Sequence, residues 1–157
     1  KHKTEWRHKL KYNELLLKNR IKTLKKIKVR INLFIEPSLK DIKEAKKLNV
    51  DCVEIHTGKL CNLINQRKNY KHEIKKIEKA VKMGNLVVIE VHAGNGLTYS
   101  SAKIVSKING ITEFKIGHFV IGESIFTGIS NVIKNFRKIL KSWTFMELEL
   151  IVSVLKE

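Results

Sequence analysis

The sequence lacks the features of several common classes of protein. It contains a single proline, two cysteines, and no apolar run approaching the ~18 residues needed to cross a bilayer. No hydrophobic N-terminal stretch is followed by a small-residue cleavage site. Cys52 and Cys61 fit neither a C-x-x-C spacing nor a disulfide framework. We therefore predict a cytoplasmic protein with reduced structural thiols, no membrane association, no metal site and no cofactor.

Acidic and aromatic residues are few in comparison with lysine and arginine. The net charge is +17, and residues 1–30 hold twelve Lys or Arg against only Glu5 and Glu14. Such a basic segment is typical of proteins that bind nucleic acid or anionic surfaces. However, no aromatic residues interleave with the basic run to stack on bases. Lysine also outnumbers arginine 27 to 5, which an AT-rich genome would produce without any function. We favour a solvated basic helix, with nucleic-acid binding as the alternative.

The remaining pattern alternates strands with helices. A chain of 157 residues that is 43% hydrophobic can form one domain with a substantial core. Apolar spacing and turn residues predict strands over 29–36, 51–57, 86–92 and 113–121, and helices over 10–27, 38–48, 70–83, 100–107 and 124–140. A basic amphipathic helical segment (1–28) thus precedes the βα units (29–141), and an extra C-terminal helix (142–157) follows them. This order indicates an α/β fold with a parallel sheet.

Residues at the predicted helix boundaries support this division. Ser38, with Asp41 three residues later, forms a capping box for the second helix. Asn49 and Gly84 are predicted to end helices in the left-handed conformation. Ser100 or Ser101 is expected to cap the short helix that ends near Lys107.

Polar residues fall at or near the carboxyl ends of successive predicted strands. They are Glu36, Glu54, His56, His92, Gly117 and His118. An open doubly wound sheet and a closed barrel both fit the alternation of elements, but chemistry at one rim favours a barrel. Each residue alone has a structural explanation, whereas four consecutive strands with polar ends indicate a site.

The third predicted strand leads into a turn built on Gly94 and Gly96. The strand residues, Leu86 to His92, are mostly apolar and suit a strand buried on both faces. Glycines allow backbone N–H groups to approach an anion closely. A Gly-x-Gly pair is a weak signal alone, because most such pairs are ordinary turns. A phosphate-sized loop is the functional interpretation.

Four motifs occur in an order and at a spacing that resemble the pyridoxine 5′-phosphate synthase family. They read Leu33-Phe-Ile, Glu54-Ile-His-Thr-Gly58, Ala93-Gly-Asn-Gly-Leu-Thr-Tyr99 and Ile116-Gly-His-Phe-Val-Ile-Gly122. The resemblance implies a (β/α)₈ TIM barrel and a transferase of vitamin B6 biosynthesis. That family condenses 1-deoxy-D-xylulose 5-phosphate with 3-amino-2-oxopropyl phosphate. The match covers about residues 20–140 and corresponds only to the four C-terminal βα units of the family barrel.

The resemblance also implies roles for individual residues. Glu54 matches a carboxylate that stabilises the transition state, while Gly96, Gly117 and His118 match residues that bind the phosphorylated substrates. Asn95 stands where the family has a proton-donating histidine, and an amide cannot transfer a proton near neutral pH. The family order Asn-Ala-Gly-His-Gly is here His92-Ala-Gly-Asn95-Gly. His92 is therefore a possible substitute for the missing donor.

The expected function follows from these matches. We expect the C-terminal half of a pyridoxine 5′-phosphate synthase that is inactive alone, since the family's bases and phosphate-binding arginine belong to the other half. The expected partners are phosphorylated substrates and either further copies, as in the family octamer, or a separately encoded N-terminal half. The alternatives are a degenerate, non-catalytic remnant and a basic nucleic-acid-binding module on a half-barrel scaffold.

Overall fold

The computed structural model describes residues 14–140, which form four strands and seven helices. In chain order these are α1 (Glu14–Lys26), β1 (Asn32–Ile35), α2 (Leu39–Lys47), β2 (Cys52–His56), α3 (Gly58–Asn65), α4 (Lys71–Leu86), β3 (Glu90–Gly94), α5 (Tyr99–Val105), β4 (Glu113–Lys115), α6 (His118–Thr127) and α7 (Ile129–Ile139). The predicted α/β class is confirmed.

The strands form one parallel sheet in the order β1-β2-β3-β4. Sequential strands are therefore spatial neighbours, and all their carboxyl ends lie at the same edge. In the register, Phe34, Glu54, His92 and Glu113 lie side by side across the four strands. Because alternate residues of a strand face opposite sides, this row and the rows two residues away share one face of the sheet.

The two faces of the sheet differ in chemistry. One face carries apolar side chains that pack with helices α2, α3 and α4 in the main hydrophobic core; its strand members are Leu33, Ile35, Val53, Ile55, Val91, Ala93 and Phe114. The opposite face, called here the polar face, carries Asn32, Phe34, Cys52, Glu54, His56, Glu90, His92, Glu113 and Lys115. Charged groups and buried polar groups are thus gathered on one side.

A smaller apolar cluster joins the last three described helices. It contains Ala102 of α5, Val120 of α6, and Val132 and Phe136 of α7, all fully buried. The rings of Tyr99, Phe119 and Phe136 pack around it at centroid separations of 4.7 to 5.9 Å. These contacts fix the start of α6 beside the end of β4.

The prediction of a strand over 86–92 is wrong at its start. Helix α4 continues through Gly84 to Leu86, Val88 takes a φ of 56°, and β3 begins only at Glu90. Gly84 lies inside the helix and does not end it. A Cβ there would lie 2.4 Å from Val91 Cγ2. It is a point of close contact between α4 and β3. The exposed side chains of Leu86 and Val88 are not part of a buried strand.

Three other parts of the prediction differ from the structure. The residues after Gly58, where the sequence predicts no helix, form helix α3, whose Leu60 and Cys61 are buried. The expected strand over 113–121 ends at Lys115, and α6 begins at His118. The predicted helix over 124–140 is two helices, because Gly128 breaks it with a φ of 78°.

The predictions at helix ends had mixed outcomes. Ser38 is the N-cap of α2, and its Oγ accepts a hydrogen bond from Asp41 N at 3.4 Å. Asn49 has a φ of 54°, as predicted. The cap of α5, however, is Thr98, and Ser101 occupies the third helical position and donates back to Thr98 O. That helix ends at Val105, because Ser106 is its C-cap.

The terminal predictions are tested only in part. Helix α1 covers Glu14–Lys26 of the predicted 10–27, with Ile21 buried and Ile27 exposed. Residues 1–13 and the predicted C-terminal helix at 142–157 lie outside the described residues. Cys52 and Cys61 are free and buried, and burial raises the pKa of both thiols. None of the described helices has the length and apolar character to cross a membrane.

Asp51 connects the N-terminal helix to the sheet. Its carboxylate accepts hydrogen bonds from Ile31 N at 2.8 Å and from Lys25 Nζ at 3.1 Å. The backbone hydrogen bond from Ile31, helped by Lys25, holds the pKa of Asp51 below its ordinary value. A lowered carboxyl pKa gives stability that is present above the unfolded-state pKa and is lost as the pH falls through the folded-state pKa.

We predict that Asp51→Ala lowers the free energy of unfolding by about 1 kcal/mol at pH 7. The difference from the unsubstituted chain should shrink as the pH falls below about 4, the ordinary range of an aspartate carboxyl, and through the lowered pKa of Asp51. Urea unfolding at a series of pH values measures it. Glu44→Ala is the control, since Glu44 makes only an exposed pair with Lys47. A difference independent of pH would contradict the role of the ionised carboxylate.

Candidate functional site

The end of β2 holds the loop after β3 through one threonine. The backbone N of Thr57 donates to Gly94 O at 2.9 Å, and its hydroxyl lies 2.7 Å from both Gly94 O and Asn95 O. Thr57 is fully buried. One residue therefore satisfies two carbonyls of the turn and fixes the glycine loop against the neighbouring strand.

Glu54 lies in the middle of the polar face and presses against the backbone of β3. A Cβ at position 94 would stand 2.1 Å from Glu54 Oε1, so only glycine leaves room for this carboxylate. Asn32 Nδ2 donates to Glu54 Oε2 at 3.4 Å, and Lys115 Nζ lies 3.8 Å from the same oxygen. Burial raises the pKa of Glu54, while Lys115 and Asn32 oppose the rise. A half-buried carboxylate of this kind can stabilise positive charge in a substrate.

His92 neighbours Glu54 in the register and is only 2% exposed. Its Nε2 lies 2.8 Å from Glu90 Oε1, and its Nδ1 lies 3.6 Å from Glu113 Oε2. Partial burial tends to raise the pKa of Glu90, but the hydrogen bonds from His92 and Arg30 hold it below its ordinary value. The imidazole is thus held between two carboxylates, below the rim where the loop after β3 lies.

These three residues, Glu90, His92 and Glu113, offer ligand atoms within 4.8 Å of one another. Arg30 already pairs with Glu90, and Lys115 Nζ lies 3.8 Å from Glu113 Oε1. Two cations beside two carboxylates leave little net negative charge for a divalent ion. We therefore assign no metal to this cluster.

The predicted substrate-binding residues lie at the carboxyl edge. Asn95 and Gly96 are exposed and both have positive φ, 79° and 75°. Gly117 is the N-cap of α6 and has no side chain to cap the first N–H groups of this helix. Because α6 follows β4, those N–H groups lie at the same edge. His118 is the first residue of that helix and is exposed. Free N–H groups at a helix start and in a glycine turn are suited to a phosphate.

A second carboxylate–imidazole pair lies at this edge. His56, the last residue of β2, places Nδ1 3.2 Å from Oε1 of Glu36, which follows β1. Both side chains are partly exposed. The ring of Phe34 meets the His56 ring edge-on at 5.2 Å between centroids. A carboxylate and an aromatic ring together hold this imidazole in one orientation.

The structure thus brings Glu54, His92 and the loop from Gly94 to Gly96 together on β2 and β3, and places Gly117 and His118 beyond β4. Sequence reasoning missed two contributors. Thr57 stands inside a recognised motif, but its role depends on a pairing between strands. Lys115 was read as part of a longer strand, although its spacing of two from Glu113 indicates the same face.

Comparison with known proteins gives one consistent family. The family model "Pyridoxal phosphate biosynthesis protein PdxJ" matches residues 3–142. A pyridoxine 5′-phosphate synthase of Pelagibacter ubique is 51% identical over 81% of this chain and 53% of its own length. The synthases of Zymomonas mobilis and Syntrophotalea carbinolica are 42% and 36% identical, over 71% and 79% of this chain and 43% and 52% of their own lengths. The chain spans about half the length of these relatives.

The raised pKa of Glu54 predicts how stability depends on pH. A carboxyl group whose folded-state pKa lies above its unfolded-state value binds more protons in the folded state. Stability therefore falls as the pH rises through the interval between the two values. Relative to Glu54→Gln, the unsubstituted chain should lose stability as the pH rises from about 4 to neutrality.

Urea unfolding of both chains between pH 4 and pH 8 measures this difference. Glutamine keeps an acceptor for Asn32 but never ionises, which isolates the charge. Glu78→Gln is the matched control because Glu78 is exposed on α4. A difference that stays constant, or that changes in the opposite direction, would show that burial of the Glu54 charge is not costly.

Proposed function

Because the chain belongs to the family of the pyridoxal phosphate biosynthesis protein PdxJ, we propose that it forms the four C-terminal βα units of a pyridoxine 5′-phosphate synthase with a (β/α)₈ barrel. The proposed reaction is the transferase step that condenses 1-deoxy-D-xylulose 5-phosphate with 3-amino-2-oxopropyl phosphate. One observation carries the proposal. Three adjacent parallel strands bring Glu54, the loop from Gly94 to Gly96 and Gly117 to one rim.

The proposed roles follow from the groups at that rim. The N–H groups at the start of α6 and in the glycine loop bind substrate phosphate, helped by the helix dipole. The Glu54 carboxylate stabilises positive charge that develops as the amine condenses with the carbonyl. Its partial burial strengthens this interaction, because the local dielectric is low.

The sheet edges support the need for further strands. Among residues 14–140, β1 pairs only with β2, so its outer edge has backbone groups that another strand could pair with. Closing a barrel removes such edges. The outer edge of β1 is a place where further strands of such a barrel would add.

The polar face also supports a partner. Three of its buried atoms make no hydrogen bond: Asn32 Oδ1, His92 Nδ1 and Glu113 Oε1. A buried polar atom without a partner costs about 1 to 3 kcal/mol. In a barrel this face would be the interior, where the other half could supply groups that hydrogen-bond these atoms.

The partner we propose is a separately supplied N-terminal half, with a second copy of this chain as the other route to closure. Assembly into a higher homo-oligomer, as the family resemblance implies, would follow closure. A basic nucleic-acid-binding module is not favoured, because the family match runs over the sheet and the rim and not only over the basic segment.

We predict that the chain alone forms no pyridoxine 5′-phosphate and that it becomes active when the N-terminal half of the Pelagibacter ubique relative is added. Product can be followed by chromatography and assembly by analytical ultracentrifugation. The intact relative is the positive control and its N-terminal half alone is the negative control. Turnover by the chain alone, or failure of the two halves to associate, would contradict the half-barrel assignment.

A second prediction concerns position 95. Asn95→His should raise kcat of the reconstituted complex by at least 10-fold, since a general acid typically contributes 10²- to 10⁴-fold. Histidine tolerates the left-handed backbone found there, as asparagine does. Asn95→Asp is the matched control, because an ionised carboxylate fits the same backbone but cannot donate a proton. Equal kcat values for the unsubstituted, Asn95→His and Asn95→Asp chains would show that residue 95 takes no part in proton transfer.

A further inference from the structure

We propose that His56, oriented by Glu36, is a catalytic acid and base of this rim and performs the proton transfer that Asn95 cannot. Neither the family match nor the residue roles that the resemblance implies assign His56 to the chemistry. The inference rests on the proposed function, since it names a reacting group for the same reaction. It is carried by the geometry around the His56 ring.

The first observation is the pair itself. His56 Nδ1 lies 3.2 Å from Glu36 Oε1, so the carboxylate favours the tautomer with a proton on Nδ1. The other ring nitrogen, Nε2, then has a free lone pair. A carboxylate behind an imidazole is the arrangement that orients general bases in many hydrolases.

The second observation is the direction of Nε2. It lies 2.6 Å from the point where a Gly58 Cβ would stand, and Asn95 Oδ1 lies 3.2 Å from the same point. Gly58 thus lets the His56 ring and the Asn95 side chain come close together beside the first residue of α3. The backbone at Gly58 has an ordinary φ, so the glycine is needed for this close approach and not for its conformation.

The third observation is the fixed position of the surrounding groups. Phe34 packs edge-on against the His56 ring, and Thr57 holds the carbonyls of Gly94 and Asn95. His56 follows Glu54 by two residues, so both side chains project from the polar face. The base and the proposed charge-stabilising carboxylate therefore share one face of β2, beside the glycine loop that Thr57 holds.

The other candidate donors are less well placed. His92 is buried with its two nitrogens beside Glu90 and Glu113, as described above. His118 is exposed on the first turn of α6, and His72 is exposed on α4. Among the described histidines, His56 combines a ring oriented by a carboxylate with a partly exposed position beside Asn95 at the rim.

The proposed step is a dehydration. His56 Nε2 accepts a proton from a substrate carbon next to a carbonyl or iminium group. The electron pair of that C–H bond forms a C=C bond, and the C–O bond of the neighbouring hydroxyl breaks. The imidazolium returns its proton to the departing oxygen, which leaves as water. The histidine ends in its starting state, and no further reactant is required.

Histidine-selective ¹⁵N labelling of this chain in the reconstituted complex tests the pair. Long-range ¹H–¹⁵N spectra should show His56 with protonated Nδ1 and unprotonated Nε2. Glu36→Ala should abolish this preference, whereas Glu36→Gln, which keeps an acceptor oxygen, should retain it. Addition of 1-deoxy-D-xylulose 5-phosphate should shift Nε2. A proton on Nε2, or an Nε2 signal that does not respond to this substrate, overturns the inference.

Turnover tests the role of the free nitrogen. His56→Gln should lower kcat of the reconstituted complex by about 10²-fold or more with little change in KM. His72→Gln is the control and should leave kcat unchanged. In an Asn95→His chain the effect of His56→Gln should fall below about 10-fold, because the two donors would then be partly redundant. A kcat within 3-fold of the unsubstituted value in the His56→Gln chain overturns the proposal.

Failure of the proposed function gives a different result. If the unsubstituted complex forms no product, the assignment of the reaction fails. The catalytic role then falls with the reaction, and the ring-nitrogen spectra still test whether Glu36 orients His56 and whether His56 contacts the phosphorylated ketose, because neither requires turnover.

Discussion

The pairing of β2 with β3 at Gly94 is the constraint on which the rim depends. Thr57 binds the carbonyls of Gly94 and Asn95, and the Glu54 carboxylate occupies the space where a Cβ of residue 94 would be. A shift of the register by one residue would turn Glu54 toward the helices and Ile55 toward the polar face. The apolar core therefore fixes the position of the carboxylate as firmly as its own hydrogen bonds do.

The polar face has a balance of charge that explains how a sheet can hold so many ionisable groups. Glu54, Glu90 and Glu113 lie near two permanent cations, Arg30 and Lys115, with the His92 imidazole between two of the carboxylates. Buried charges are tolerated only when they are paired and hydrogen-bonded. Since three atoms of the face still make no hydrogen bond, the network is incomplete within residues 14–140. Under the proposed half-barrel assembly, the other half would supply the missing partners.

Sequence patterns predicted the bounds of a strand well where short polar residues flank it. They predicted the bounds poorly where apolar residues continue from one element into the next. The strand predicted over 51–57 is β2, which lies between Asp51 and Thr57. In contrast, the apolar run from Leu86 to Ile89 was assigned to a strand, although α4 extends into it. Whether Gly84 ends a helix or allows close packing depends on Val91, which is a tertiary contact. The residues around Gly84 in the sequence do not predict that contact.

The same limit applies to the candidate site. Glu54 and His56 could be placed on one face from their spacing of two, and the glycine loop could be placed at the end of a strand. The partners that give these residues chemical character come from other strands: Lys115 for Glu54, and Glu36 for His56. Side-chain alternation predicts which residues share a face, but only the register of parallel strands shows which of them touch. Carboxylates and their counterions were therefore identified singly and not as pairs.

The order of residues at positions 92 and 95 has a structural consequence in this chain. Where the resembling family has asparagine, His92 places a group that can carry positive charge between Glu90 and Glu113, which an amide could not do. Asn95 suits the left-handed turn but leaves the rim without a proton donor at that position. Under the proposed function, this arrangement would place an ionisable group in the polar face at the expense of a catalytic group at the rim, which is a form of the trade-off between stability and activity. If His56 supplies the proton, less activity is lost than the change at position 95 alone would suggest, because Nε2 of His56 and Oδ1 of Asn95 both lie close to Gly58.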